Sequence, residues 1–283
     1  MKKKVAIVTG ASSGFGLLTV IELAKSGFDV IATMRDLHKS ELLIEKSSQE
    51  KVRDFITLHE LDVTSKESIH VFKEYCLQFS SIDVLVNNAG LAIGGFHEDI
   101  SVDDYRAQFE TNFFGVIAVT QAILPLMRTQ RSGRIINMSS ISGKMGFPGL
   151  SPYVASKHAL EGFSESLSLE VQPFGIDVIL IEPGSYQTNI WSAVDAIERK
   201  KDTAYQTYMT SLLSIMNSSK SKYGDPTDVA KLIAKIASQT KKPHFRYPIG
   251  VGVKRNLLLK NVLPWRLIEK WMLRMILNYK LKE

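Results

Sequence analysis

The chain has 283 residues, 45% hydrophobic and 23% charged, with 18 Gly and 9 Pro, a composition that excludes a disordered or fibrous protein. Its single cysteine, Cys76, excludes an internal disulfide framework and a Cys-rich zinc site, and points to a reducing, cytoplasmic compartment. The formal charge of +6 belongs to residues 254–283, where eight Lys or Arg face two Glu; residues 1–253 are neutral overall, so no nucleic-acid surface is expected on the fold.

Lys2, Lys3 and Lys4 precede the apolar run Val5 to Val8, which is too brief for an export signal or a membrane span. It reads instead as the first of six short strands buried on both faces. The others are Val30 to Met34, Ile56 to Leu58, Val84 to Val86, Ile135 to Met138 and Val178 to Ile181. Helical periodicity lies between them, as in Leu17 to Ser26, Ser65 to Phe79 and Tyr153 to Gln172. This alternation predicts right-handed crossovers and an α/β doubly wound parallel sheet of the Rossmann type, in one domain spanning residues 1–253. Ligands then bind beyond the carboxyl ends of the strands. Residues 185–223 break the rhythm before Gly224, Asp225 and Pro226 restart a helix, and are expected to form a lid over the substrate.

After the first strand comes Thr9-Gly10-Ala11-Ser12-Ser13-Gly14-Phe15-Gly16, with helix expected from Leu17. Glycine lets the chain turn tightly and bring backbone N–H groups against a pyrophosphate at a helix N-terminus, and a side chain at Gly16 would hold the helix off the sheet. The bland alternative is a glycine-rich turn with no ligand. The second strand ends Met34-Arg35-Asp36. A carboxylate there binds a ribose 2′-hydroxyl, whereas a 2′-phosphate needs the acid absent and a guanidinium nearby; Met34 and Arg35 favour NADP, with Asp36 on the ribose as the alternative.

Tyr153 and Lys157 are four residues apart on an expected helix and so share a face. A phenol near pKa 10 is a weak catalyst at neutral pH, and a neighbouring ammonium is a physical means of lowering it.

With Thr9-Gly10-x-x-x-Gly14-x-Gly16, Asn87-Asn88-Ala89-Gly90, Ser140, Tyr153-x-x-x-Lys157 and Pro183-Gly184 in order, the chain resembles the short-chain dehydrogenase/reductase family. The resemblance implies that Tyr153 is the general acid or base, Ser140 hydrogen-bonds the substrate oxygen, and Lys157 binds the nicotinamide ribose and depresses the tyrosine pKa. It implies that Asn112 holds a water in the proton relay. It further assigns cofactor contacts to Gly10, Ser12, Ser13, Gly14, Phe15, Gly16, Arg35, Asp62, Val63, Asn88, Pro183, Gly184 and Thr188, with Asn87 stabilising the strand end. Ala-Thr-Met-Arg-Asp and the basic, Trp-containing tail resemble the branch of 17β-hydroxysteroid and retinol dehydrogenases. That branch implies a small-molecule substrate that is a bulky apolar ketone, aldehyde or alcohol, and the family a homo-oligomer. A non-catalytic NADP-binding sensor or scaffold on the same fold, or an NAD-preferring alcohol dehydrogenase, are the alternatives.

Six scattered histidines show no ligand spacing, so no metal is expected, and His158 should point away from Lys157. Cys76 reads as a small apolar core residue. Tyr186, Trp191 and Met209 either line an apolar pocket or pack the lid upon itself. In residues 254–283, Trp265, Ile268, Met272, Met275 and Ile276 fall near one helical face, and Arg266, Lys270 and Arg274 line a second. Such a helix suits a membrane surface, a subunit partner or a flap over the substrate entrance.

Overall fold

The computed structural model describes residues 3–188, 204–219 and 223–277. In chain order the elements are β1 (Val5–Val8), α1 (Gly14–Lys25), β2 (Asp29–Met34), α2 (Glu41–Gln49), β3 (Ile56–Glu60) and α3 (Lys66–Cys76). They continue with β4 (Val84–Asn87), α4 (Val102–Phe109), α5 (Gly115–Gln130), β5 (Gly133–Met138), α6 (Ser151–Val171) and β6 (Ile176–Pro183). Last come α7 (Gln206–Ser219), α8 (Pro226–Ser238), β7 (Arg246–Ile249), α9 (Val253–Val262) and α10 (Trp265–Leu277).

Every strand pairs in parallel, in the order β3-β2-β1-β4-β5-β6-β7, so chain direction across the sheet reverses between β1 and β4. The alternation of side chains along each strand feeds two cores. Ala6 and Val8 of β1 point into one, with Leu17, Val20 and Leu23 of α1 and Val229 and Ile233 of α8. Val5 and Ile7 point into the other, with Phe72 and Cys76 of α3, Val119 and Ile123 of α5 and Leu167 of α6. Both faces being covered explains why these strands read as unbroken apolar runs.

Six of the seven strands are those expected from the sequence; β7 is the seventh. Its Arg246-Tyr-Pro-Ile249 segment is half-buried throughout and carries Pro248, which a strand tolerates at the sheet edge where β7 lies. Local capping sets helix starts. Ser101 and Asp104 form a reciprocal box at the head of α4, and Asp225 accepts from the Thr227 N–H at 2.8 Å to open α8. The continuous helical stretch Val102–Gln130 is long and apolar enough to cross a membrane, but its apolar residues Val119, Ile123 and Met127 are packed in the second core.

Candidate active site

The site lies where the strand order reverses, at the carboxyl ends of β1, β4, β5 and β6. After β1 the chain turns through Gly10 (φ +68°) and Gly14 (φ +56°), and α1 begins at Gly14, three residues earlier than expected. A Cβ on Gly10 would sit 2.7 Å from the Ala89 Cα, and one on Gly16 would overlap the Gly10 carbonyl and the Asn88 amide, so both must be glycine. Ser13 stands at the N-cap of α1 without capping it through its side chain.

This turn forms one wall of a cleft of about 580 Å³. Gly10, Ser12, Ser13, Gly14 and Phe15 line it together with Arg35, Asp62, Val63, Asn88 and Thr188. Gly16 lies behind the turn, against Gly10 and Asn88. Asn88 buttresses the turn by donating through Nδ2 to the carbonyls of Thr9 (2.9 Å) and Gly10 (3.1 Å). Asn87 does stabilise the strand end, donating to Thr120 Oγ1 (3.0 Å) and Asn137 Oδ1 (2.9 Å). Arg35 is exposed at the cleft, whereas the Asp36 carboxylate is turned to accept the His38 N–H at 3.0 Å. Asp62 Oδ1 accepts from the Thr64 N–H (2.9 Å) and hydroxyl (2.7 Å). A dinucleotide fits this donor set: backbone N–H groups at a helix N-terminus for the pyrophosphate, a guanidinium at the end of β2, and a glycine turn with no side chain in the way.

A second cavity of about 370 Å³ adjoins, walled by Ser140, Met145, Phe147, Leu150 and Gly184, by Met209, Leu212, Leu213 and Met216 of α7, and by Trp271, Met272 and Met275 of α10. Its lining is mostly apolar. Tyr153 is buried behind both spaces, lining neither, in one apolar cluster with Ala92 of the cleft and Leu150, Leu213 and Met216 of the cavity.

Tyr153, Lys157, Ser140 and Asn112 are all buried. α6 carries Tyr153 and Lys157 one turn apart, with the ammonium 5.6 Å from the phenol ring centre. The Tyr153 hydroxyl is hydrogen-bonded to the Ser140 side chain, and Ser140 Oγ accepts the Ser142 N–H at 3.1 Å. Lys157 Nζ donates to the Met138 carbonyl at 2.7 Å. Burial pushes the Tyr153 phenol up to about 12, with the Ser140 bond opposing, and burial pulls Lys157 down to about 8, with Glu161 opposing. The tyrosine is thus shifted opposite to the depression expected from Lys157: desolvation is the largest cause, and the group that opposes it is Ser140 rather than Lys157. Asn112 sits in a π-helical turn, Glu110–Phe114, and clamps Leu91: Oδ1 accepts its N–H and Nδ2 donates to its carbonyl, both at 2.9 Å. Nδ2 also reaches Ser156 Oγ at 3.3 Å, so the side chain positions the loop that divides cleft from α6.

Behind Lys157 lies a charged network that the sequence reading missed. Glu161 Oε1 accepts from Ser139 at 2.5 Å, and Arg246 Nε stands 3.1 Å from both Glu161 Oε2 and Glu182 Oε1. The Nε hydrogen bond goes to Glu161, and Glu182, whose Oε1 is buried with no hydrogen-bond partner among the described residues, is pushed up to about 7 by burial and by the neighbouring Glu161. Of the other residues singled out, Tyr186 packs edge-on to Phe15 in the core, whereas Met209 lines the cavity; Trp191 lies outside the described residues. His158 bonds the Val154 carbonyl on the exposed side of α6, and Cys76 is fully buried. Among the described residues no group of three or more His, Cys, Asp or Glu stands close enough to hold a metal. The α7 residues Met209, Leu212, Leu213 and Met216 follow the i, i+3, i+4, i+7 spacing that could have revealed a cavity-facing stripe.

A sheet of this order, with the glycine turn at its switch point and the Ser-Tyr-Lys cluster alongside, is matched over residues 4–199 by the short chain dehydrogenase family model, and the chain belongs to that family of oxidoreductases. Among its relatives is the uncharacterized oxidoreductase YusZ of Bacillus subtilis, 51% identical over 94% of this chain and 95% of the relative. Bovine retinol dehydrogenase 8 is 34% identical over 85% of this chain and 80% of that one. An actinorhodin polyketide ketoreductase solved with NADPH has a TM-score of 0.76 at 28% identity, covering 89% of this chain and 97% of its own. A Burkholderia phymatum member solved with NAD shares the fold at a TM-score of 0.78 and 23% identity, covering 95% of each chain.

Proposed function

We propose that the protein is an NADP(H)-dependent oxidoreductase that reduces a ketone or aldehyde, or oxidises the matching alcohol, of an apolar substrate. The observation that carries this reading is the grouping of Tyr153 with Ser140, which walls the apolar cavity, and with Lys157 one helical turn away, in a cluster that also holds Ala92 of the cleft suited to a dinucleotide. When bound, NADPH supplies hydride to the carbonyl carbon.

The chain's own residues do the rest. A phenol held near 12 stays protonated at neutral pH, so Tyr153 keeps the proton that the carbonyl oxygen takes up as it becomes an alcohol. Ser140 orients that oxygen by hydrogen bonding. Lys157, anchored on the Met138 carbonyl, holds positive charge beside the ring and stabilises developing phenolate. Asn112 keeps the Leu91 loop in place.

NADP is preferred to NAD in this proposal because Arg35 faces the cleft, Met34 occupies the place of a ribose-binding acid, and Asp36 is engaged by His38. The substrate is apolar because Met145, Phe147, Leu213 and Met272 wall the cavity, and α7, from the expected lid, forms one side of it. The single buried cysteine suits action in the cytoplasm, and the family resemblance suits a homo-oligomer. NADPH oxidation, followed by absorbance against a panel of apolar ketones, aldehydes and quinones and of polar analogues, tests the reading. Turnover confined to apolar carbonyls is expected; NADPH binding with no turnover on any member would favour the sensor alternative.

A further inference from the structure

The mouth of the apolar cavity and the basic charge of the chain meet on one helix. Around α10 three stripes repeat every four residues. Ile268, Met272 and Ile276 are buried, the first two against Met145 and Phe147. Beside them run Leu267, Trp271 and Met275, which are 52%, 53% and 47% exposed. Beside those in turn run Arg266, Lys270 and Arg274, all exposed, while Glu269 lies on another side. The apolar face expected from the sequence is therefore split, with Met275 in the outward stripe and Trp265 itself 55% exposed. Trp271 and Met275 also line the cavity, so the outward stripe borders its rim.

We infer that α10 docks on an anionic membrane surface and that the substrate enters the cavity from the bilayer. Side-by-side apolar and basic stripes, with a tryptophan in the apolar one, are what an interface of acyl chains and negative headgroups binds. A second copy of the chain is a poorer occupant. A two-fold contact through this face would set Arg266, Lys270 and Arg274 against the same residues of the other copy. The substrate part of this inference rests on the carbonyl-reductase reading above; the docking part does not.

The test uses the whole protein and co-sedimentation with vesicles of phosphatidylcholine alone or of equal parts phosphatidylcholine and phosphatidylglycerol. The protein is expected to bind the mixed vesicles at least about tenfold more tightly than the neutral ones. The double variant R266E/K270E, and separately L267E, should each weaken binding to mixed vesicles by at least about tenfold. None of these three residues lines the cavity, so turnover of a small water-soluble ketone should be unchanged, which also reports correct folding. With a long-chain ketone embedded in the vesicles, both variants should lose rate. Equal binding to the two vesicle types, or variants that bind as the parent does, would overturn the proposal, as would L267E turning a dimer into a monomer without altering vesicle binding. Charge-dependent vesicle binding with no carbonyl turnover would leave the docking in place and remove the reductase reading instead.

Discussion

Replacing Arg35 by alanine should separate the two cofactors. Arg35 lines the dinucleotide cleft at the end of β2, where Met34 is buried and the Asp36 carboxylate is held by the His38 N–H at 3.0 Å. A charge-assisted hydrogen bond between guanidinium and a 2′-phosphate is worth about 1.5–3 kcal/mol. Because the side chain is exposed and screened, the lower end applies, and the NADPH dissociation constant should rise about tenfold. NADH offers a neutral ribose hydroxyl at that point, so its affinity should change less than about twofold. Fluorescence titration of both cofactors, at low and high ionic strength, measures this; added salt should weaken NADPH binding to the parent more than to the variant. Equal losses for both cofactors, or no loss for either, would refute the assignment of Arg35 to the phosphate and with it the NADP preference.

Three further outcomes follow from other parts of the site. Gly16→Ala would drive a methyl group into the Gly10 carbonyl and the Asn88 amide, so NADPH affinity should fall at least about tenfold and the melting temperature with it; a variant that binds normally would contradict the packing described for the turn. Leu213→Trp places an indole where the side chain faces both the cavity and the Tyr153 cluster, and should raise KM for a long-chain ketone about tenfold or more while sparing a small one; equal effects on both would place the substrate elsewhere. Glu182 has its folded pKa raised to about 7 from an ordinary 4.5, so the folded state retains the proton longer, and its contribution to stability is full below pH 4.5 and lost as pH rises to about 7. Glu182→Gln should therefore be the more stable protein above neutrality, by on the order of 1–3 kcal/mol, in urea unfolding at about pH 8 but not at about pH 5; parallel losses in parent and variant would contradict it.

What could be read from the sequence, and what could not, divides along physical lines. Val5–Val8 and Val84–Asn87 were legible because a strand covered on both faces has no polar positions to confuse it, and the turn at Gly10, Gly14 and Gly16 because positive φ and close approach admit almost nothing else. β7 was not, since Arg246 and Pro248 at a half-buried edge mimic a loop. The Tyr153–Lys157 pairing is local, one helical turn, and was visible as spacing. The cavity is not local: residues 140–150, 209–219 and 271–276 meet only through the tertiary fold, and periodicity identifies an apolar face without naming its partner. For the same reason the Glu161–Arg246–Glu182 cluster, drawn from α6, β7 and β6, left no trace in sequence order. Tyr186, a candidate for the cavity, packs against Phe15 because Gly224 and Gly250 let its ring lie close to the backbone.

Single-turnover reduction by Tyr153→Phe tests the central claim most directly, because the substitution removes one oxygen from a ring that stays packed among Ala92, Leu150, Phe147 and Leu213. The NADPH dissociation constant should stay within about twofold of the parent while the rate of carbonyl reduction drops by about 10²–10⁴. A variant that binds NADPH and still reduces its substrate at more than about a tenth of the parent rate would show that the proton comes from elsewhere.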